Sequence, residues 1–228
     1  MIVLALDTAT PDTVAGLAVP GRAAAERRHR PAPGERPGHA TRLLPLAREL
    51  LEEAGLAFSD VDRIGVGVGP GTFTGLRIGV ATARALAQGT GAALVAVSTL
   101  EALALGALTE GGGPVLACLD ARRGEAFAAS WTAPGARAHA PVAVPPQDLP
   151  GLLDPDPGPW RCVGDGSVRF RDVLEAAGAQ VPEDGSALHR VRATALCGLA
   201  REATETGPDV RPDYVREPDA VPKPTAPT

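Results

Sequence analysis

Aromatic residues are scarce in this chain: four Phe, two Trp and a single Tyr among 228 residues. Its core must therefore be filled by Ala, Leu and Val, and an apolar content of 44% supplies enough of them for an ordinary globular interior. Lysine is nearly missing too, Lys223 being the only one, a bias that codon usage explains without a functional cause. A net charge of −5 provides no broad positive field for gripping nucleic acid. Cys118, Cys162 and Cys197 are odd in number, far apart and without a CxxC pair. That argues against a disulfide framework or thiolate zinc site and fits a reducing compartment. No run approaches the roughly 18 apolar residues of a membrane span. The opening Ile2-Val3-Leu4-Ala5-Leu6-Asp7 lacks the basic flank and length of a signal peptide. A cytoplasmic location with no membrane contact is expected.

What the chain has in quantity is glycine and proline, and they punctuate it clearly. Ile2 to Leu6 reads as a strand buried on both faces and ending in an acid. Turns at Pro11-Asp12 and Pro20-Gly21 then separate strands over Thr13 to Val19 and Arg22 to Arg30, an antiparallel meander. Residues 31–38 are a Pro/Gly loop, followed by a helix from Ala40 to Ala54 that Gly55 ends. Its apolar stripe, Leu43, Leu44, Leu46, Ala47, Leu50 and Leu51, is wider than one sheet contact needs. The central stretch comes next: a strand Ile64-Gly65-Val66-Gly67-Val68, the turn Gly69-Pro70-Gly71, and a small-residue helix from Thr74 to Gln88 capped by Thr72 or Thr74. A strand over Ala92 to Val97 leads to a helix over Thr99 to Leu108, with Ser98 and Glu101 as a capping box. The order β-β-β-α-β-α-β-α is characteristic of one lobe of the actin and ribonuclease H type of fold.

Gly111-Gly112-Gly113-Pro114 marks a lobe boundary, after which Val115 to Leu119 is again an apolar strand ending in an acid, Asp120. A turn at 121–124 and a strand over Glu125 to Trp131 repeat the opening pattern, with Asp120 in the place of Asp7. An edge strand near Val142 to Val144, a short strand and turn over 161–166, and helices over Ser167 to Ala177 and Ala193 to Thr204 complete the reading. The expected fold is α/β, actin-like or ribonuclease H-like (ASKHA), two-lobed, with mixed sheets flanked by helices. Its lobes are 1–110, carrying the association helices, and 111–217, with 218–228 as a disordered tail.

No complete catalytic constellation is present. The glycine turn lacks the lysine of a P-loop and the third glycine of a dinucleotide fingerprint. Backbone N–H groups there remain candidates for an anion, with Asp7, Thr8, Thr10, Gly71 and Thr72 as possible contacts beside Thr74 and Arg77, against a purely architectural turn. Asp7 can equally bond backbone N–H groups at its strand end. His29, His39, His139 and His189 are too scattered for a metal site, and no nucleophile elbow occurs. The strongest feature is the pair of helices, a leucine-rich one beside a Gly/Ala-lined one. Apolar surface beyond what a sheet covers marks a protein interface, unless other parts of the chain cover it.

The motifs Leu4-Ala5-Leu6-Asp7-Thr8-Ala9-Thr10, His39 with Leu43-Leu44-Pro45, and Gly69-Pro70-Gly71-Thr72-Phe73-Thr74-Gly75-Leu76-Arg77-Ile78-Gly79 resemble the bacterial TsaB (formerly YeaZ) family. So do 97–103, 120–125 and Pro212-Asp213-Tyr214-Val215-Arg216; only 133–159 matches poorly. The family acts in threonylcarbamoyladenosine modification of tRNA. The resemblance implies an actin-like fold and a non-catalytic paralogue of the transferase TsaD, without that partner's metal-binding histidines. It implies pairing with TsaD through the first two helices as a four-helix bundle, an ATP-dependent complex with TsaE, tRNA met through the complex, and self-association through the same surface. No cofactor would be held tightly by this chain, ATP being used by the complex. The interface so implied comprises His39, Leu43, Leu44, Leu46, Ala47, Leu50, Leu51, Phe73, Thr74, Leu76, Arg77, Val80, Ala81 and Arg84. Ala40-Thr41 stands where the family often has Ser-Glu, and Thr72 replaces a common serine. The alternatives are an autonomous actin-like enzyme, ATPase, kinase or peptidase, and a homodimeric binding module.

Overall fold

The computed structural model describes residues 1–32, 34–156, 158–204 and 207–215. The first sheet is built from β1 (Val3–Asp7), β2 (Thr13–Ala18), β3 (Ala25–His29), β4 (Arg63–Gly69) and β5 (Ala93–Ser98) in the order β3-β2-β1-β4-β5. β1 runs antiparallel to β2 and parallel to β4, so the meander continues into a parallel half-sheet. Helices α1 (His39–Ala54) and α2 (Phe73–Thr90) connect these strands, and α3 (Thr99–Gly111) leads from β5 to the second sheet. The second sheet, β8-β7-β6-β9, contains β6 (Val115–Arg122), β7 (Glu125–Ala133), β8 (Ala136–Val144) and β9 (Arg161–Val163). It repeats the scheme in miniature, β6 pairing antiparallel with β7 and parallel with β9. α4 (Asp165–Arg169), α5 (Arg171–Ala176) and α6 (Ala193–Glu202) follow.

Side-chain alternation sorts the sheets into layers. Leu4 and Leu6 of β1, with Ile64 and Val66 of β4, face α1 and α2; Val3 and Ala5 face a second core shared with α3, α6 and the second sheet. A third core, around Leu116, Leu149, Trp160 and Leu174, closes the far side of the second sheet. β1 is thus buried on both faces, as its unbroken apolar run requires.

At the C-terminal end of the described residues, α6 and residues 207–215 return to pack along the first sheet. Glu26 of β3 accepts from Ala193 N at 3.1 Å, satisfying a donor at the N-terminus of α6. Arg63 of β4 donates from Nη1 to the carbonyls of Ala200 and Ala203 at 2.8 and 2.9 Å, capping its C-terminus. Gly16 and Gly65 let the helix lie close: a Cβ on either would stand 2.8 and 2.5 Å from the Ala193 and Ala200 methyls.

Smaller differences have local causes. β8 is longer than the expected Val142 to Val144, and Pro141 is tolerated because β8 is an edge strand. The helix expected over Ser167 to Ala177 breaks at Phe170, whose side chain turns onto the third core. α6 stops at Glu202, two residues short of Thr204. Thr72 is the N-cap residue of α2, yet neither it nor Thr74 makes a capping side-chain bond, whereas Ser98 accepts from Glu101 N as expected. The tail assigned to 218–228 lies outside the described residues.

Candidate functional site

α1 and α2 lie side by side on the outer face of the first sheet, and their wide apolar stripes divide between two directions. Leu43, Ala47, Leu50 and Leu51 of α1, with Val80 and Ala83 of α2, are buried in the core beneath them. Leu76 is buried as well. Six residues expected at a partner interface, Leu43, Ala47, Leu50, Leu51, Leu76 and Val80, are therefore consumed within the chain itself. The sheet is five strands wide and covers more of the helices than one contact would. Leu46 is half-buried and packs against the same core, so what remains outward is Leu44 at 44% exposure and the α2 stripe Phe73, Thr74, Arg77, Ala81 and Arg84.

His39 also faces inward. Its Nδ1 lies 2.8 Å from Thr13 Oγ1, tying the start of α1 to β2. Burial lowers its pKa, the charge of His29 acts in the same direction, and Asp12 opposes them. It is a strut for the outer face, not part of it.

At the N-terminus of α2 the outward side chains form a layered cluster. Phe73 stacks on Tyr214 with ring centroids 5.5 Å apart. The Arg77 guanidinium lies 3.8 Å above the Phe73 ring, and its Nε donates to Tyr214 Oη at 3.2 Å. No periodicity links Tyr214 to α2, because 137 residues separate it from Arg77.

Asp7, Thr8 and Thr72, which the sequence offers as anion contacts, each hold a partner within the chain. Asp7 is fully buried; its Oδ1 accepts from Ala9 N at 2.8 Å and its Oδ2 from the Thr99 hydroxyl at 2.8 Å. Burial raises its pKa to about 6, against the lowering effect of the Ala9 and Thr99 bonds and the Arg28 charge. The buried Thr8 hydroxyl donates to Gly75 O at 2.7 Å, and Thr72 N donates to Ala9 O at 2.8 Å. Gly71 packs directly on Ala9, and Thr10 is half-buried. The glycine turn knots the loop after β1 to the start of α2, with Thr72 N committed to the Ala9 carbonyl and the Thr8 hydroxyl to the Gly75 carbonyl. Its Gly69–Pro70 bond is cis.

Asp120 does echo Asp7: each carboxylate accepts the backbone N–H two residues on, here from Arg122 at 2.9 Å. Asp120 also pairs with Arg122 and Arg169, and its own N–H donates to Asp165. A Ser–His pair occurs at Ser130 and His139, 2.9 Å apart. The serine is fully buried in β7, and among the described residues no carboxylate orients the ring. No helix among the described residues is long and apolar enough to cross a membrane, and no group of three His, Cys, Asp or Glu among them could hold a metal ion.

Comparison with known proteins bears on this geometry. Residues 35–140 match the family model described as TsaD, tRNA N6-adenosine threonylcarbamoyltransferase. The tRNA threonylcarbamoyladenosine biosynthesis protein TsaB of Escherichia coli K12 is 32% identical over 157 residues, 66% of this chain and 67% of that protein. A Pseudomonas aeruginosa protein, described as similar to the peptidase YeaZ, superposes with a TM-score of 0.81 at 32% identity, covering 94% of this chain and 99% of the other. A ROK hexokinase of Thermus thermophilus superposes with a TM-score of 0.51 at 14% identity over 87% of this chain and 99% of its own, a likeness of actin-like fold alone. With these relatives and this architecture, the chain belongs to the TsaB (YeaZ) family.

Proposed function

We propose that this chain is a non-catalytic subunit in the biosynthesis of tRNA threonylcarbamoyladenosine, pairing with a TsaD-type transferase through the outer face of α1 and α2. Its family supports the pathway. The observation that carries the scaffold role is the division of that face: a core-facing half holds the helices rigid while Leu44, Phe73, Arg77, Ala81 and Arg84 stay outward. An apolar and arginine-bearing patch on rigid helices suits a partner helix pair, since ordering costs on binding are small there. The position an actin-like enzyme gives to its first acidic residue is filled here by Asp7, whose two oxygens serve Ala9 and Thr99.

In this reading the chain holds no cofactor tightly; ATP is used by the assembled complex with a TsaE-type ATPase, and tRNA is met through that complex in the cytoplasm. Self-association through the same face competes with the heterodimer. The test is reconstitution. The isolated chain transfers nothing to tRNA, and adding it to the transferase and ATPase restores transfer. Leu44→Asp or Ala81→Arg, both outward changes, removes the restoration while leaving the fold intact. Transfer by the transferase and ATPase at full rate without this chain, or transfer by this chain alone, would sink the proposal.

A further inference from the structure

The C-terminal segment 207–215 runs back along the first sheet. Gly207 N donates to Leu94 O at 3.0 Å and Asp213 N to Val68 O at 2.7 Å. Gly69 makes the second hold possible. At its φ of 120°, which disfavours any side chain, a Cβ would stand 2.9 Å from Asp213 O. The next residue after that hold is Tyr214, the only tyrosine in the chain, stacked on Phe73 and bonded to Arg77.

The stack does not close a core. Phe73 remains 48% exposed and Tyr214 39%, in a chain that otherwise spends few aromatic residues anywhere. Stacked rings with an arginine, held rigidly and half open, have the composition of an interface anchor. The anchor is continuous with the outward stripe of α2, because Phe73, Arg77, Ala81 and Arg84 recur at helical spacing. α2 contains no acidic residue, and among the described residues no carboxylate pairs with Arg77 or Arg84. An occupant with apolar and acidic groups complements that stripe.

We propose that the C-terminal segment is a working part of the partner face, with Tyr214 completing an aromatic–arginine anchor for an apolar, acidic surface of the transferase. This rests on the heterodimer reading above.

The test measures binding of the full-length chain to a purified TsaD-type transferase by calorimetry. Tyr214→Ala raises Kd at least about tenfold. Tyr214→Phe keeps the ring and holds Kd within about threefold. The thermal midpoints and near-ultraviolet signals of the two buried tryptophans stay unchanged in both variants, which separates a binding role from a folding one. Ala81→Arg tests the outer face independently of Tyr214. If the wild type binds and Ala81→Arg blocks binding while Tyr214→Ala binds as well as or better than wild type, only this inference falls. If the wild type does not bind the transferase, or Ala81→Arg leaves binding intact, the heterodimer reading falls and this inference with it, whatever self-association light scattering records.

Discussion

Replacing Asp7 by Asn tests whether this acid is a structural anchor held at a cost. The carboxylate is fully buried and its pKa rises from 3.8 to about 6, chiefly through desolvation. A raised folded-state pKa favours the neutral form, so the associated stability is present below 3.8 and lost as pH rises through 6. The loss is about 3 kcal/mol by pH 8 but only about 0.5 kcal/mol at pH 4, taking 1.36 kcal/mol per pH unit. Asparagine imitates the protonated acid. Its oxygen accepts from Ala9 N, and its amide donates to a Thr99 hydroxyl that rotates to receive it. Urea unfolding of both chains from pH 4 to 8 reads the effect, and subtracting one curve from the other cancels His39 and every other titrating group. The variant is expected to be more stable at pH 8, with the difference nearly level down to about pH 7 and shrinking below about pH 6 toward pH 4. A difference that does not change with pH, or a variant less stable at pH 8, would refute the desolvated-anchor reasoning.

Other outcomes follow from the same contacts. Gly67→Ala puts a methyl group into Asp7 Oδ2 and 3.1 Å from the Thr99 hydroxyl, so urea titration should show a loss of about 3 kcal/mol from overpacking. Leu50→Asp, at a residue the family resemblance places in the interface, should instead unfold the chain. Leu50 is only 2% exposed, and an unpaired charge there costs several kcal/mol. Leu44→Asp should shift the thermal midpoint little and abolish co-purification with the transferase, a contrast that circular dichroism and pull-down resolve together. The thiols of Cys118, Cys162 and Cys197 are buried and their pKa values raised by desolvation, for Cys162 and Cys197 to about 12. Mass spectrometry should find none alkylated by iodoacetamide in the native chain at pH 8 and all three alkylated in denaturant.

Local chemistry was sufficient for much of this molecule. The apolar run ending at Asp7, its echo at Asp120, Gly55 closing α1 and the Ser98 cap are each specified by residues close together in the chain. So are the meander and the alternation of strands and helices, and with them the fold class and the motifs of the family. Periodicity could show that α1 and α2 are broadly apolar but not which half meets the sheet, since that depends on the width of the layer beneath. Only tertiary structure decided that Leu43 and Leu50 are core while Leu44 is surface. It also decided why glycine alternates through β4. Ile64, Val66 and Val68 face the outer helices, while Gly65 and Gly67 clear space on the other side for α6 and the Asp7 carboxylate. Those partners arrive from the far end of the chain and from the neighbouring strand, as Tyr214 arrives at Phe73. Spacing along a sequence carries no information about such meetings, because they are set by how whole layers pack.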